Sequence, residues 1–139
     1  KKKKKIPAWD RFGSQWLWIL PVDVNLQRCQ RYYYNIVRTA QDIPICNASS
    51  WSTTEAYGVL HLPTTMRATP SLDQVTGTNY YRYYNASDSN DKFDSFTIYA
   101  GTPNELNLYN ADSMTLTAGQ SGWFVLLDAN AYIGFTSEL

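Results

Sequence analysis

One histidine, two cysteines and twelve carboxylates are the groups with which this chain of 139 residues could do acid–base, nucleophilic or metal chemistry. Any Ser/His/Asp or Cys/His mechanism would run through His61, in the segment Gly58-Val59-Leu60-His61-Leu62-Pro63. Strand alternation there puts His61 on the same face as Val59 and Tyr57, the setting of a satisfied sheet histidine rather than of a catalytic base. No nucleophile elbow, phosphate-binding loop or His/Cys metal pair accompanies it. Cys29 and Cys46 permit one disulfide or two buried thiols, far from the dense framework of a small secreted domain, and with a single histidine they fit a closed zinc site poorly. Glycoside hydrolysis needs only two carboxylates, so composition allows it, yet no spacing singles out a pair. The expectation is a protein without catalysis and without a cofactor.

The densest acidic cluster is Asp88, Asp91 and Asp94 with Asn90, a loop of oxygen donors that makes calcium the one cation option. It lacks the glycine and closing glutamate of an EF-hand loop, which favours a solvated turn. The aromatic residues carry more information: 11 Tyr, 5 Trp and 5 Phe stand beside only 12 basic groups. Successive strand residues point to opposite faces, so Tyr80-Tyr81-Arg82-Tyr83-Tyr84 places Tyr81 and Tyr83 on one face and Tyr80, Arg82 and Tyr84 on the other. An exposed tyrosine offers a flat apolar ring and a hydroxyl, suited to stacking on a sugar or filling a protein interface. Tyr81 and Tyr83, Trp51 in its polar loop, and the loop groups Asp88, Asn90 and Asp91 are accordingly the candidate ligand-binding residues. Burial of the same aromatics between subunits is the alternative.

These groups need a scaffold, and the pattern calls for strands. Short alternating runs separated by turn-forming clusters recur at Arg28 to Val37, Ala56 to Leu62, Ser71 to Val75, Asn79 to Asn85, Ser95 to Ala100, Leu106 to Tyr109, Met114 to Thr117, Trp123 to Asp128 and Ala131 to Thr136. Nine such strands suffice for two packed sheets. Asp128-Ala129-Asn130 reads as the turn of a closing hairpin. Asn25 to Tyr32 fits a helix capped by Asn25 as well as it fits a strand. The predicted fold is all-β, a single antiparallel, jelly-roll-like β-sandwich over residues 26–139, with residues 1–25 an extended N-terminal arm or tag. Five of the lysines form the block Lys1 to Lys5, and the remainder carries seven basic against twelve acidic groups. Such a body does not track phosphates, so no nucleic acid is expected as partner. The apolar stretch Trp16 to Val22 is too short for a membrane span, and the basic start lacks the apolar length and small-residue site of a secretory signal.

Three ordered segments carry a family resemblance: Arg28-Cys29-Gln30-Arg31-Tyr32-Tyr33-Tyr34, then Leu62-Pro63-Thr64-Thr65-Met66-Arg67-Ala68-Thr69-Pro70, then the ending Ala131-Tyr132-Ile133-Gly134-Phe135-Thr136-Ser137-Glu138-Leu139. Together they resemble the C-terminal domain of bacteriophage tail-fibre and related virion appendage proteins, over residues 26–139. The resemblance implies a β-rich receptor-binding domain at the exposed end of a fibre or spike on the virion surface. It also implies a homo-oligomer, commonly a trimer, that contacts other virion proteins and a host-surface glycan or protein, without catalysis or membrane insertion. The second function it admits is purely structural, a capsid decoration or fibre-forming protein. Residues 1–25 depart from the acidic strand that usually precedes the Cys-Gln-Arg-Tyr segment. No catalytic role transfers, and Arg31, Arg67 and Glu138 read as candidates for partly buried charge pairs, with Pro63 and Pro70 bracketing a bend.

Overall fold

The computed structural model describes residues 21–38, 42–85, 91–110, 112 and 114–137. Pro21 stands at the N-cap of the first element, α1 (Val22–Gln30), with its φ preset and no amide hydrogen to leave unpaired. Asp23 in the first turn and Arg28 in the last complement the helix dipole. The sequence allowed helix or strand here; the helix forms and crosses the boundary expected at residue 26. Its cap is Pro21, not Asn25. At nine residues it is too short to cross a membrane, and no other described helix does so.

Ten strands follow: β1 (Tyr33–Arg38), β2 (Ile43–Ser50), β3 (Ala56–His61), β4 (Ser71–Gln74), β5 (Tyr81–Asn85), β6 (Asp91–Phe93), β7 (Phe96–Gly101), β8 (Glu105–Asn110), β9 (Ser121–Leu126) and β10 (Tyr132–Thr136). They form a three-stranded sheet, β1-β10-β4, and a seven-stranded sheet, β6-β5-β9-β2-β3-β8-β7. Every pairing in both is antiparallel. The expected all-β, sandwich-like architecture is therefore the one observed.

The large sheet curls until its two ends meet. Phe93 on edge strand β6 and Phe96 on edge strand β7 pack edge to face, ring centres 4.8 Å apart. Gln74 then stitches the small sheet to that seam: its side-chain amide donates to the Phe96 carbonyl (2.8 Å) and accepts from the Phe96 N–H (2.9 Å). One side chain thus replaces a ladder rung at an edge that would otherwise expose unpaired backbone. Behind the seam, Tyr81, Tyr83, Phe93, Phe96, Phe124, Leu106, Leu108, Ile133 and Phe135 fill the interior.

Three expectations need correction. β2 and β6 were not anticipated, and β2 is central. Pro44 and the polar Asn47, Ser49 and Ser50 hide its alternation, because proline normally marks an edge. Here Pro44 sits beside a bulge, in the half of β2 that pairs with β9 alone, so the sheet loses no rung to it. Second, Asp128 to Asn130 do not close a hairpin. β9 and β10 belong to different sheets, and the turn, held by Asn130 N–H on the Asp128 carboxylate (2.7 Å), is a corner between layers. Third, Met114 to Thr117 is not a strand. Met114 and Leu116 are buried alternately as predicted, but their amides bond Thr54 and Thr53 carbonyls in a loop instead of a ladder.

Candidate functional site

Alternation fixes which side chains leave the outer face of the large sheet. On β3 they are Tyr57, Val59 and His61, and on β8 Glu105, Asn107 and Tyr109, placed opposite one another as Tyr57↔Tyr109, Val59↔Asn107 and His61↔Glu105. Tyr57 and Tyr109 stack at 5.4 Å and 16°. β7 adds a third ring: alternation from inward Phe96 and Ile98 sends Tyr99 outward, and the register slips between Ile98 and Ala100, so Tyr99 is also the extra residue of a bulge. It meets Tyr57 edge-on at 5.4 Å and 86°, and is 67% exposed.

Trp51 completes the cluster from the β2–β3 loop, 6.5 Å and 78° from Tyr57 and 78% exposed. The loop that presents it is tightly held. Trp51 N–H donates to the Glu55 carbonyl (2.9 Å), and the Ser52 hydroxyl accepts from the amides of Thr54 and Glu55. Behind it the Asn110 side chain accepts from Ala56 N–H (2.8 Å) and donates to the carbonyls of Thr54 (2.9 Å) and Asp112. A loop anchored this way fixes the backbone position from which the exposed indole projects.

From this cluster an open groove of about 660 Å³ runs over β3, β2 and β9, lined by Asn47, Ser49, Tyr57, Val59, His61 and Trp123 among others. Along β3, Tyr57 and His61 lie about 13 Å apart at ~3.3 Å per residue. At the His61 end its Nδ1 is 3.6 Å from a Glu105 carboxylate oxygen, both groups well exposed. On the far side Trp123 packs on Tyr84 at 4.9 Å, and Arg82, ion-paired to Asp42 at 2.7 Å, lies over the Tyr84 ring. The groove therefore has aromatic walls at both sides and a floor of amides and hydroxyls.

Of the residues expected to bind a ligand, Trp51 is the one on this surface. Tyr81 and Tyr83 are not: they share a face as predicted, but it is the interior one, and both are 0% exposed. The Tyr81 hydroxyl donates to the carbonyls of Val75 and Tyr132 (2.8 Å each), and that of Tyr83 to the Gln120 carbonyl (2.8 Å). Loss of solvent raises both phenols above the ordinary tyrosine range, so they stay neutral and hydrogen-bonded inside. Asp88 and Asn90 lie outside the described residues. Asp91, on the β6 edge, accepts from the amides of Lys92 and Thr115 and contributes nothing to the groove. The neighbouring Asp94 and Asp112 carboxylates likewise accept backbone amides, from Asn79 and Asp94. Among the described residues no three His, Cys, Asp or Glu side chains are gathered to hold a metal.

The remaining chemistry-bearing groups are also placed. His61 is on the outer face with Val59 and Tyr57 as expected, but exposed instead of packed into the sheet. Cys29 is an exposed free thiol on α1, while Cys46 is a free thiol whose burial pushes it up to about 12. Arg31 and Arg67 are exposed; the Arg67 guanidinium lies 5.8 Å over the Tyr32 ring, and Glu138 is outside the described residues. Sequence reasoning missed Tyr57, Tyr99, Tyr109 and Trp123 as binding residues. Alternation within Ala56 to Leu62, Leu106 to Tyr109 and Ser95 to Ala100 would have put Tyr57, Tyr109 and Tyr99 on outer faces.

Fold and site together define an antiparallel β-sandwich-like module bearing an aromatic-walled groove on one sheet. Compared with known proteins, the chain matches no family model, no curated protein and no solved structure.

Proposed function

We propose that this chain is a non-catalytic attachment domain that binds a glycan in the groove over β3, β2 and β9. The observation that supports this best is the pairing of aromatic walls, Tyr57 and Trp123, with a floor of Asn47, Ser49 and Ser121. Pyranose rings stack their C–H faces on aromatic rings, while amides and hydroxyls satisfy their equatorial hydroxyls. A sheet is a rigid base for such a surface, so little ordering entropy opposes binding. The resemblance of its three sequence motifs to virion appendage domains supports a setting at the tip of a virion fibre or spike, as a homo-oligomer meeting a host-surface glycan.

A structural role is the second reading, favoured by one observation: Trp51, Val59 and Tyr99 are all exposed on the same sheet face. A contiguous apolar patch of this kind would equally seat a neighbouring subunit. Glycan-array binding by the full chain, with light scattering on the same samples, separates the two. The attachment reading expects a bound glycan class and a loss of about tenfold or more in affinity, ~1.4 kcal/mol, for Trp123→Ala. An array without a hit, together with an oligomer that Trp51→Ala or Tyr99→Ala dissociates, would replace it by the structural reading.

A further inference from the structure

Three rings from three separate elements converge beside the groove without forming a platform. Trp51 from the β2–β3 loop and Tyr99 from the β7 bulge stand at 78° and 86° to Tyr57, which comes from β3. A saccharide stacks best on a flat, open ring. Rings set nearly at right angles pack edge to face, so the space they border is walled by edges as well as faces, and each face carries the negative part of the aromatic quadrupole. One side of Tyr57 is occupied by stacked Tyr109, which fixes the ring, and Tyr99 and Trp51 pack against it at 5.4 and 6.5 Å.

The space enclosed by Trp51, Tyr57, Tyr99 and Asn107 is about 280 Å³. That falls just under the ~300 Å³ at which pockets for drug-sized ligands begin, so it suits a compact head group. Its electrostatics have one sign. The Glu55 carboxylate is 3.5 Å from the Tyr57 hydroxyl, and among the described residues no lysine or arginine lines the pocket. At its base the Asn107 side-chain oxygen is buried and has no hydrogen-bond partner among the described residues. An anion would be disfavoured by the ring faces and the carboxylate, whereas a cation gains from the rings, the carboxylate and the amide oxygen together.

We infer that Trp51, Tyr57 and Tyr99 form a cage for a methylated ammonium group, such as the choline head of a decorated surface polymer. This goes beyond the glycan-binding groove and does not depend on it. A quaternary ammonium is the cation of choice because it brings no N–H to satisfy and only a diffuse hydration shell to lose, so desolvation among rings costs little. Glu55 sets the local potential from outside the ring contacts and acts as a positioning charge.

The test is a titration of the full chain with choline chloride and tetramethylammonium chloride, against 3,3-dimethylbutan-1-ol as the uncharged isostere of choline and sodium chloride at matched ionic strength. Calorimetry gives affinity, and the Trp51 indole N–H resonance, assigned from Trp51→Phe, gives location. Both cations should shift that resonance, with the isostere weaker by about tenfold or more, as desolvated cation–π contacts predict. Tyr99→Ala should weaken choline binding by about tenfold or more, and Glu55→Gln by about threefold, with unchanged thermal unfolding because Trp51 and Tyr99 are exposed. Equal affinity for the isostere would reduce the pocket to a hydrophobic one and overturn the inference. So would a Trp51 resonance unmoved by choline, or indifference to Tyr99→Ala. Choline binding with an empty unmodified-glycan array would remove the groove reading and keep the cage, and a positive array without choline binding would do the reverse.

Discussion

Two aromatic clusters built from the same residue types sit on opposite faces of the same sheet. Inside, Tyr81 meets Phe96 at 4.8 Å and 62°, and Phe96 meets Phe124 at 5.0 Å and 81°. Outside, Tyr57 meets Tyr99 at 5.4 Å and 86°. Ring geometry does not distinguish them. What does is the fate of the polar end and the presence of a covering layer. The inner hydroxyls terminate on backbone carbonyls of Val75, Tyr132 and Gln120, which lets a phenol be buried without an unsatisfied donor. Among the described residues no second layer covers the outer rings. One cluster holds the fold together, and the other is available to a partner.

That contrast breaks most visibly under truncation. Tyr83→Ala should destabilise by ~3–5 kcal/mol, because it leaves a cavity against Phe124 and removes the buried bond from the phenol to the Gln120 carbonyl. Gly122→Ala should be comparably damaging: an added Cβ would run into the Tyr84 carbonyl and the Tyr83 ring, 2.9 Å away at its Cζ. Chemical denaturation followed by tryptophan fluorescence measures both. If either variant unfolds at the midpoint of the unmutated chain, the inner cluster is not the core described here.

The seam is next in size. Gln74→Ala removes both bonds to Phe96 and should cost about 1–3 kcal/mol. Its effect should appear as faster hydrogen exchange at the Phe96 amide before any global loss.

Alkali sharpens the comparison through protonation. Tyr81 and Tyr83 are raised above the usual 10.0, and Cys46 from 9.0 to about 12, all first by burial. The folded chain keeps these protons where the unfolded chain has released them. Their contribution to stability is therefore complete below pH 9 and is lost as pH climbs toward 12. Denaturation midpoints should fall steadily across that window, and phenolate absorbance from the inner tyrosines should emerge only with unfolding. A flat stability profile from pH 8 to 11 contradicts their burial.

The smallest effect belongs outside. Trp51→Ala and Tyr99→Ala should change stability by no more than ~0.5 kcal/mol, since both rings are largely in solvent. A loss above 2 kcal/mol from either would make the outer cluster a structural element, not a free surface.

Much of the scaffold was legible from residue order. The runs at Ala56 to Leu62 and Leu106 to Tyr109 alternate cleanly, and their strands lie where the pattern put them. The face shared by Tyr81 and Tyr83 was also correct. β2 escaped because Pro44 and three polar residues mimic a loop, and its central place comes from pairing with β9 and β3, distant in sequence. Of the site, Trp51 could be read from its isolation in a polar stretch. Alternation in Ser95 to Ala100 also puts Tyr99 on an outer face, but its meeting with Tyr57 comes from the pairing of β7, β8 and β3, which residue order does not show.

Side-chain parity is a local property of an extended backbone, so residue order alone decides which groups travel together on a strand and commits this chain to pleated sheets rich in rings on both sides. Which side becomes interior is not local. It follows from where the Phe93–Phe96 seam closes and where carbonyls such as Val75 and Gln120 wait for a phenol, contacts that exist only once distant segments have met. Tertiary structure therefore sent Tyr81 and Tyr83 inward and gathered Trp51, Tyr57 and Tyr99 outside, because burial is decided by the layer that covers a face and not by the strand that carries it.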